Sequence, residues 1–261
     1  PVMPEAAPTD TWSGEIVLAT GVVVYVGPGA AAARHRHDAI QIICSPNRPV
    51  VLGTEPGTVI THAAIVASRE SHHFEANGAP IAIVLVEPSG QLGRRLNAVA
   101  QRSTDLTSLN VNVRFPITTH PTLTVEWARS LLASITGDTT VTRPDGVRAE
   151  LREACRFIDT HLQDAPQLAD TANHVGYSPR QLRRGFADEI GMPYRRYVLW
   201  RRLRHALLAV RDGADLTTAA AAAGFADSAH LSRTFRQTFG LTPSEVLPLL
   251  TVAAADFVGD N

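Results

Sequence analysis

The 261-residue sequence carries 24 basic and 25 acidic residues for a net charge of −1, with 44% hydrophobic and 19% charged positions. That composition excludes a disordered chain, and no apolar run is long enough for a membrane-spanning helix, which needs about 18 residues or more. The length admits two domains, while two cysteines, Cys44 and Cys155, each in an apolar pattern, exclude a disulfide framework.

Pro1 to Asp10 is a proline-rich tail with no basic stretch, so a secretory signal is not expected and a cytoplasmic location is. Residues 11–88 read as short strands rich in valine and isoleucine: Glu15–Thr20, Val22–Gly27, Ala39–Ser45, Val50–Gly53, Val59–Ala67, His72–Ala76 and Ile81–Glu87. Gly, Pro, Asn and Ser separate them at intervals of about ten residues, which points to a small barrel or sandwich. Inside this region stands Gly29-(x)5-His35-x-His37-(x)3-Gln41. Histidines at i and i+2 of one strand share a face, so His35 and His37 are expected to meet a common ligand. The motif resembles the first metal motif of the cupin barrels, with Gln41 where cupins carry glutamate. Of the second cupin motif, Ala67 to His72 retains only His72. The resemblance implies either a metal site at His35, His37 and His72, of the three-nitrogen kind that zinc or iron uses, or an effector pocket lined by His35, His37, Gln41 and His72. A third reading leaves these histidines as barrel core. No cofactor is required by the sequence. His73 reads as a surface neighbour of His72, and His62 and His120 have no identifiable partner.

Residues 89–136 change to helical spacing, Leu92–Leu96–Val99 in Gln91–Arg102 and Leu123–Trp127–Leu131–Ile135 in Leu123–Ile135. These helices either pair two chains, with Trp127 as a contact, or pack on their own barrel. Residues 137–146 (GDTTVTRPDG) read as a linker. An amphipathic helix over 147–163 follows, with Cys155 in its core stripe.

Two copies of one pattern come next. In Leu168 to Pro193, Leu168, Ala172, Gly176 and Tyr177 match Leu216, Ala220, Gly224 and Phe225 at an offset of 48. Leu182-x-Arg184-x-Phe186 then matches Leu231-x-Arg233-x-Phe235 at an offset of 49. Each copy reads as helix, glycine turn, helix, the plan of a helix-turn-helix, and each predicts the other. In the first copy Ser178 is the expected N-cap and Pro179 opens the second helix. In the second copy five alanines, Ala219 to Ala223, allow close helix crossing, Asp227 or Ser228 caps the second helix, and Gly240 ends it. Tyr194 to Arg211 joins the copies as one helix with the stripe Tyr197, Trp200, Leu203, Leu207, Val210. Its 18 residues span roughly 27 Å, of the order of the DNA turn between two reading heads, about 34 Å. From Gly176 to Arg211 nine arginines stand against Asp188 and Glu189, a net +7 in 36 residues and an expected phosphate-facing surface. After Leu250 no motif assigns the tail a role.

The run G-F-x-D-x-x-H-L-S-R-x-F-R-x-x-F-G-x-x-P at Gly224 to Pro243 resembles the AraC/XylS transcription regulators, and residues 146–250 as a whole are similar to their DNA-binding domain. Such regulators commonly carry a cupin-like sensor domain first. The resemblance implies a two-domain α+β protein: a small cupin-like barrel and helices over 11–136, the linker 137–146, and an all-α DNA-binding domain over 147–250. Base contacts are expected at Arg180, Gln181, Arg183 and Arg184 in the first reading helix and at Ser228, Ala229, His230, Ser232 and Arg233 in the second. Arginine supplies the bidentate guanine contact; Ala229 offers at most a methyl contact. Phosphate contacts are expected at Ser178, Arg195, Arg196 and Thr242. The reading is a non-enzymatic, effector-responsive activator that acts as a homodimer on double-stranded DNA, touches RNA polymerase, and has no membrane partner. Two other readings stay open at this point: a constitutive architectural DNA binder whose barrel only dimerises, and a cupin enzyme fused to a DNA-binding domain.

Overall fold

The computed structural model of the protein describes residues 12–55, 57–109, 121–137 and 147–252. Pro1 to Asp10, His120, most of the expected linker and the end of the tail lie outside them. The strands among the described residues are β1 Glu15–Ala19, β2 Val22–Pro28, β3 Ala32–His35, β4 Ile40–Cys44, β5 Val50–Gly53, β6 Thr58–Thr61, β7 Ala63–Val66, β8 His72–Glu75, β9 Pro80–Val86 and β10 Leu250–Val252. The α-helices among the described residues are α1 Gln91–Ala100, α2 Pro121–Thr136, α3 Ala149–Thr160, α4 Leu168–His174, α5 Pro179–Asp188, α6 Tyr194–Arg211, α7 Leu216–Ala222, α8 Ser228–Phe239 and α9 Pro243–Val246.

The strands make a six-stranded sheet, β10-β1-β2-β9-β4-β7, and a four-stranded sheet, β3-β8-β5-β6. All pairs are antiparallel except β1 with β10. The two-residue alternation of strand side chains sorts the large sheet into two cores. Val17, Val22, Val24, Ile42, Val84 and Val86 face one side, where Leu96 and Val99 of α1 and Val125, Ala128 and Leu132 of α2 cover them. Ile16, Leu18, Val23, Tyr25, Ile83 and Leu85 face the other, toward the small sheet and the C-terminal helices. Both faces being covered, the strands are nearly continuous apolar runs such as IAIVLV, residues 81–86.

Three details depart from the sequence reading. One expected strand, Val59–Ala67, is two, because the chain breaks at His62, whose Nδ1 bonds the Ser45 carbonyl at 2.8 Å. The alanine-rich β3 is a strand that β-propensity does not signal. The unassigned tail supplies β10, which extends the large sheet along β1 (Ile16 opposite Leu250). The helices after the barrel pack on their own sheet, with Trp127 half-buried against it, and Leu123 of α2 stays 49% exposed.

The C-terminal half packs directly on the barrel. Its core and the inner sheet face form one apolar cluster, running from Ile16 and Phe74 to Trp200, Leu207 and Phe239. Polar anchors fix the joint. Glu87, 3% exposed at the end of β9, accepts from Arg196 Nη2 at 2.6 Å, Arg196 Nε at 2.9 Å and Trp200 Nε1 at 2.7 Å. Arg201, buried on the same helix, forks onto Asp159 of α3 and reaches Thr20 Oγ1 at 3.2 Å. Gln91 N donates to Gly191 O at 3.0 Å.

Burial alone would raise the Glu87 carboxyl, but the Arg196 hydrogen bond and charge, with Ser89 and Trp200, hold it below the usual carboxylate range. Its contribution to stability is therefore complete above the unfolded value of about 4.3 and is lost as the pH falls through the lower folded value. Glu87→Gln removes the charge from a buried pair and should cost about 2 kcal/mol. Urea unfolding between about pH 6 and about pH 3 checks both: the variant should start lower and show the shallower acid limb.

Candidate DNA interface and the cavity beneath it

The two expected reading units form as paired helices, α4–α5 and α7–α8. Gly176 and Gly224 take the left-handed conformation, with φ of 71° and 76°, between the helices of each pair. At Gly224 the turn is also crowded: a Cβ there would stand 2.3 Å from the Leu162 carbonyl oxygen. Leu182 and Phe186 of α5, and Leu231, Phe235 and Phe239 of α8, are buried. They leave Arg180, Arg183, Arg184, Ala229, His230 and Arg233 on exposed faces, with Ser228 and Ser232 half-buried.

Several residues expected to contact DNA also take part in helix caps. Ser178 and Gln181 close a capping box: Ser178 N donates to Gln181 Oε1 at 2.9 Å, and the Ser178 hydroxyl to the same oxygen at 2.7 Å. Gln181 Oε1 and the Ser178 hydroxyl, both on residues expected to meet DNA, thus also close the helix start. Thr242 is similarly engaged, its amide and hydroxyl each donating to Glu245 Oε2 at 2.6 Å. Asp227 caps α8 through the His230 amide, and His230 packs edge-on against Phe225 at 5.4 Å. Arg184 pairs with Asp188 at 3.1 Å across exposed side chains, a bond of little net worth. Arg195 remains exposed. Arg196 does not face DNA: it holds Glu87, so the sequence reading of it as a phosphate contact is corrected, and with Arg201 it leaves the basic face smaller than the composition suggested.

Beneath α8 lies a cavity of about 350 Å3. Ile16, Val23, Tyr25, Phe74, Ile83 and Leu85 of the barrel form one wall, and Phe235, Phe239, Leu241, Val246 and Leu249 the other. Arg34, His35, Gln41, Arg236 and Glu245 are its polar lining. Of the four expected pocket residues, His35 and Gln41 line it and His37 and His72 do not. The barrel also ends α8: Asp38 N donates to Gln237 O at 2.8 Å and Ala39 N to Thr238 O at 3.0 Å. Two of the last carbonyls of the helix are thereby satisfied from the other half of the molecule.

The three histidines come together, though not as the spacing implied. His35 ends β3 opposite His72 on β8, and His37 joins them from the bend after β3 rather than from the strand. Their ring centroids lie 4.4 to 5.4 Å apart. Each Nδ1–H donates to a backbone carbonyl: His35 to Ala33 at 2.7 Å, His37 to Ala39 at 3.0 Å and His72 to Glu70 at 2.9 Å. Burial pushes His72 down to about 3, and lowers His37 as well.

This arrangement of paired helices on a common α6 is that of a helix-turn-helix DNA-binding domain. Residues 171–248 match a family model described as "Helix-turn-helix domain". The same part of the chain is 33% identical over 97 residues to the arabinose operon regulatory protein of Escherichia coli (36% of this chain, 33% of that protein). It is 32% identical over 97 residues to the regulatory protein PocR of Salmonella typhimurium (36% of this chain, 32% of that protein). The chain thus spans about a third of the length of these curated relatives. Among solved structures, ToxT of Vibrio cholerae with bound unsaturated fatty acid is 14% identical at a TM-score of 0.46, covering 92% of this chain and 98% of that one. Residues 171–248 thus form a helix-turn-helix domain similar in sequence to the matching parts of the arabinose operon regulatory protein and PocR.

Two glycines test the duplicated turn. Gly176→Ala meets no neighbour and should cost only the left-handed penalty, about 1–2 kcal/mol. Gly224→Ala adds the Leu162 clash and should cost at least about 1 kcal/mol more. Denaturant midpoints of the two variants give the comparison directly.

Proposed function

We propose that this chain is a sequence-specific transcription regulator whose DNA reading responds to a small molecule in the barrel. The observation that carries the reading is the shared cavity: a single ligand there touches the barrel and both α8 and α9. α5 and α8 read adjacent major grooves, with Arg180, Arg183, Arg184 and Arg233 as the base-reading candidates, Ser228, Ala229, His230 and Ser232 flanking them, and Arg195 on phosphate. The effector is largely apolar, as the aromatic and aliphatic walls require, with a polar group toward His35, Gln41 and Arg34. The chain acts in the cytoplasm as an activator, through RNA polymerase, and as a homodimer with Leu123 of α2 at the contact. It is not an enzyme: the cavity opens onto a reading helix.

Selection from random duplex DNA at about 150 mM salt, where non-specific binding is suppressed, should enrich two blocks about one helical turn apart. Enrichment of no sequence, with or without candidate effectors, would sink the reading. On the selected site, Arg233→Ala and Arg184→Ala should each cost about 1–3 kcal/mol and relax the preference at one position. Equal loss on every sequence would make them phosphate contacts. Leu123→Arg should turn a dimer into a monomer in sedimentation equilibrium; an unchanged mass would place the contact elsewhere.

A further inference from the structure

We propose that the exposed face of α1, a helix of the N-terminal half, is a third DNA-contacting surface, and that its Arg94 and Arg102 hold phosphates beside the groove read by α5. One side of the helix is built to cover the sheet: Leu96 and Val99 are buried and Leu92 half-buried against it. Gln91, Arg94, Arg95, Ala98, Gln101 and Arg102 fall on the other side, and all six are exposed. From Gln91 to Arg102 there are three arginines and no Asp or Glu.

Helix stability does not account for this composition. The start of a helix favours acidic side chains and disfavours basic ones. Yet α1 has no acid in its first turn and no side-chain cap, and Arg94 and Arg95 follow at once. Arg94 Nη1 donates to the Ser89 carbonyl at 3.1 Å, which turns the guanidinium back toward the helix start. From Arg94 to Arg102 the stripe rises about 12 Å, the axial span of roughly three to four phosphates on one strand.

The start of α1 is joined to the first reading unit. Gln91 N donates to Gly191 O at 3.0 Å, in the turn between α5 and α6. A Cβ at Gly90 would overlap the same oxygen and stand 3.6 Å from Met192 Cα, so backbone lies directly on backbone. Glu87, just upstream of α1, holds Arg196 on the other side of that turn. α1 therefore keeps a fixed place beside the turn that carries the exposed Arg195.

The acids nearby do not cancel the charge. Asp188 pairs with Arg184 at 3.1 Å, Glu189 with Arg148 at 2.6 Å, and the buried Glu87 with Arg196. α2, which packs beside α1, adds one acid, Glu126, and one base, Arg129. A duplex backbone is the partner such a stripe fits, because its phosphates recur at fixed intervals and need neither a pocket nor apolar contact. α1 thereby returns to the DNA side part of the charge that Arg196 and Arg201 commit to the joint between the two halves.

The proposal rests on α5 reading DNA, and the test separates the two. The full chain is titrated with a mixed-sequence duplex and with the duplex enriched by selection, by fluorescence anisotropy between about 0.05 and about 0.3 M salt. Each phosphate contact contributes about 0.9 to the slope of log K against log salt. The double variant Arg94→Ala, Arg102→Ala, checked for native circular dichroism and melting, should lower that slope by about 2. It should weaken binding on the order of tenfold at about 150 mM salt, by the same factor on both duplexes. Arg48→Ala removes an exposed charge beyond the far end of β4 from the joint and should leave the slope unchanged. An unchanged slope in the folded double variant overturns the α1 surface and leaves the regulator reading intact. So does an equal fall with Arg48→Ala, which would report net charge, or a loss on the selected duplex alone, which would report base reading. A chain that enriches no sequence but still loses slope in the double variant counts against sequence reading alone. A parent chain that binds neither duplex overturns both.

Discussion

The molecule is organised by a carboxylate that cannot stay buried without partners. Glu87 closes β9 at 3% exposure, where an isolated charge would be expelled or neutralised. Arg196 and Trp200 supply three donors to it, two of them from one guanidinium fork. Both residues sit one turn apart on α6, so the carboxylate fixes the azimuth of that helix as well as its position. Because α6 carries a helix-turn-helix at each end, a single buried acceptor sets how both reading helices stand relative to the sheet. The Arg201 bridge to Asp159 and Thr20 repeats the device at the residue after Trp200 and adds α3 to the assembly.

The second reading helix has a different constraint. A helix leaves its last carbonyls without partners, and they must be satisfied by caps, water or neighbouring structure. In α8 the Arg236 carbonyl is taken by Gly240 N, and the next two by the amides of Asp38 and Ala39. The barrel is thus a component of the helix terminus. Phe235 and Phe239 meanwhile turn from the helix core into the cavity wall. A ligand that alters that wall changes packing on the buried side of the helix whose other side bears Arg233. The first unit, α4–α5, has no such tie to the cavity, so the two reading heads are structurally unequal despite their common pattern.

Most of the helical half was legible in the sequence because its signals are local. The duplicated glycine turns, the Ser178 and Asp227 caps and the Tyr197–Trp200–Leu203–Leu207 stripe all appear where spacing placed them. What stayed hidden is what pairs across long separation. Nothing around Glu87 announces a partner 109 residues away, and an arginine-rich helix does not declare which guanidiniums face phosphate. One cue was present: Arg196 precedes Trp200 by four residues, so it shares the buried face of α6 rather than the outer one. The histidines show the reverse case. Their grouping was expected from a motif, but the motif placed two on one strand, whereas the third ring is held by a bend that also delivers Asp38 and Ala39 to α8.

That bend brings the two levels of the argument together. The residues between β3 and β4 position the His37 ring, donate the amides that end α8, and through Asp38 hold Arg69 at 2.9 Å, whose own amide returns to the His37 carbonyl. Four residues therefore link the inner strands of the barrel to the surface helix with no flexible segment between them. A short rigid connection of this kind transmits displacement instead of absorbing it, since packed side chains and backbone bonds have discrete alternatives rather than a continuum. The same tightness implies a cost. Any state in which α8 reorients to match a second groove must break the Asp38 and Ala39 bonds or carry the bend along. A molecule that filled the cavity would press on the same helix, through Phe235 and Phe239, that those bonds hold.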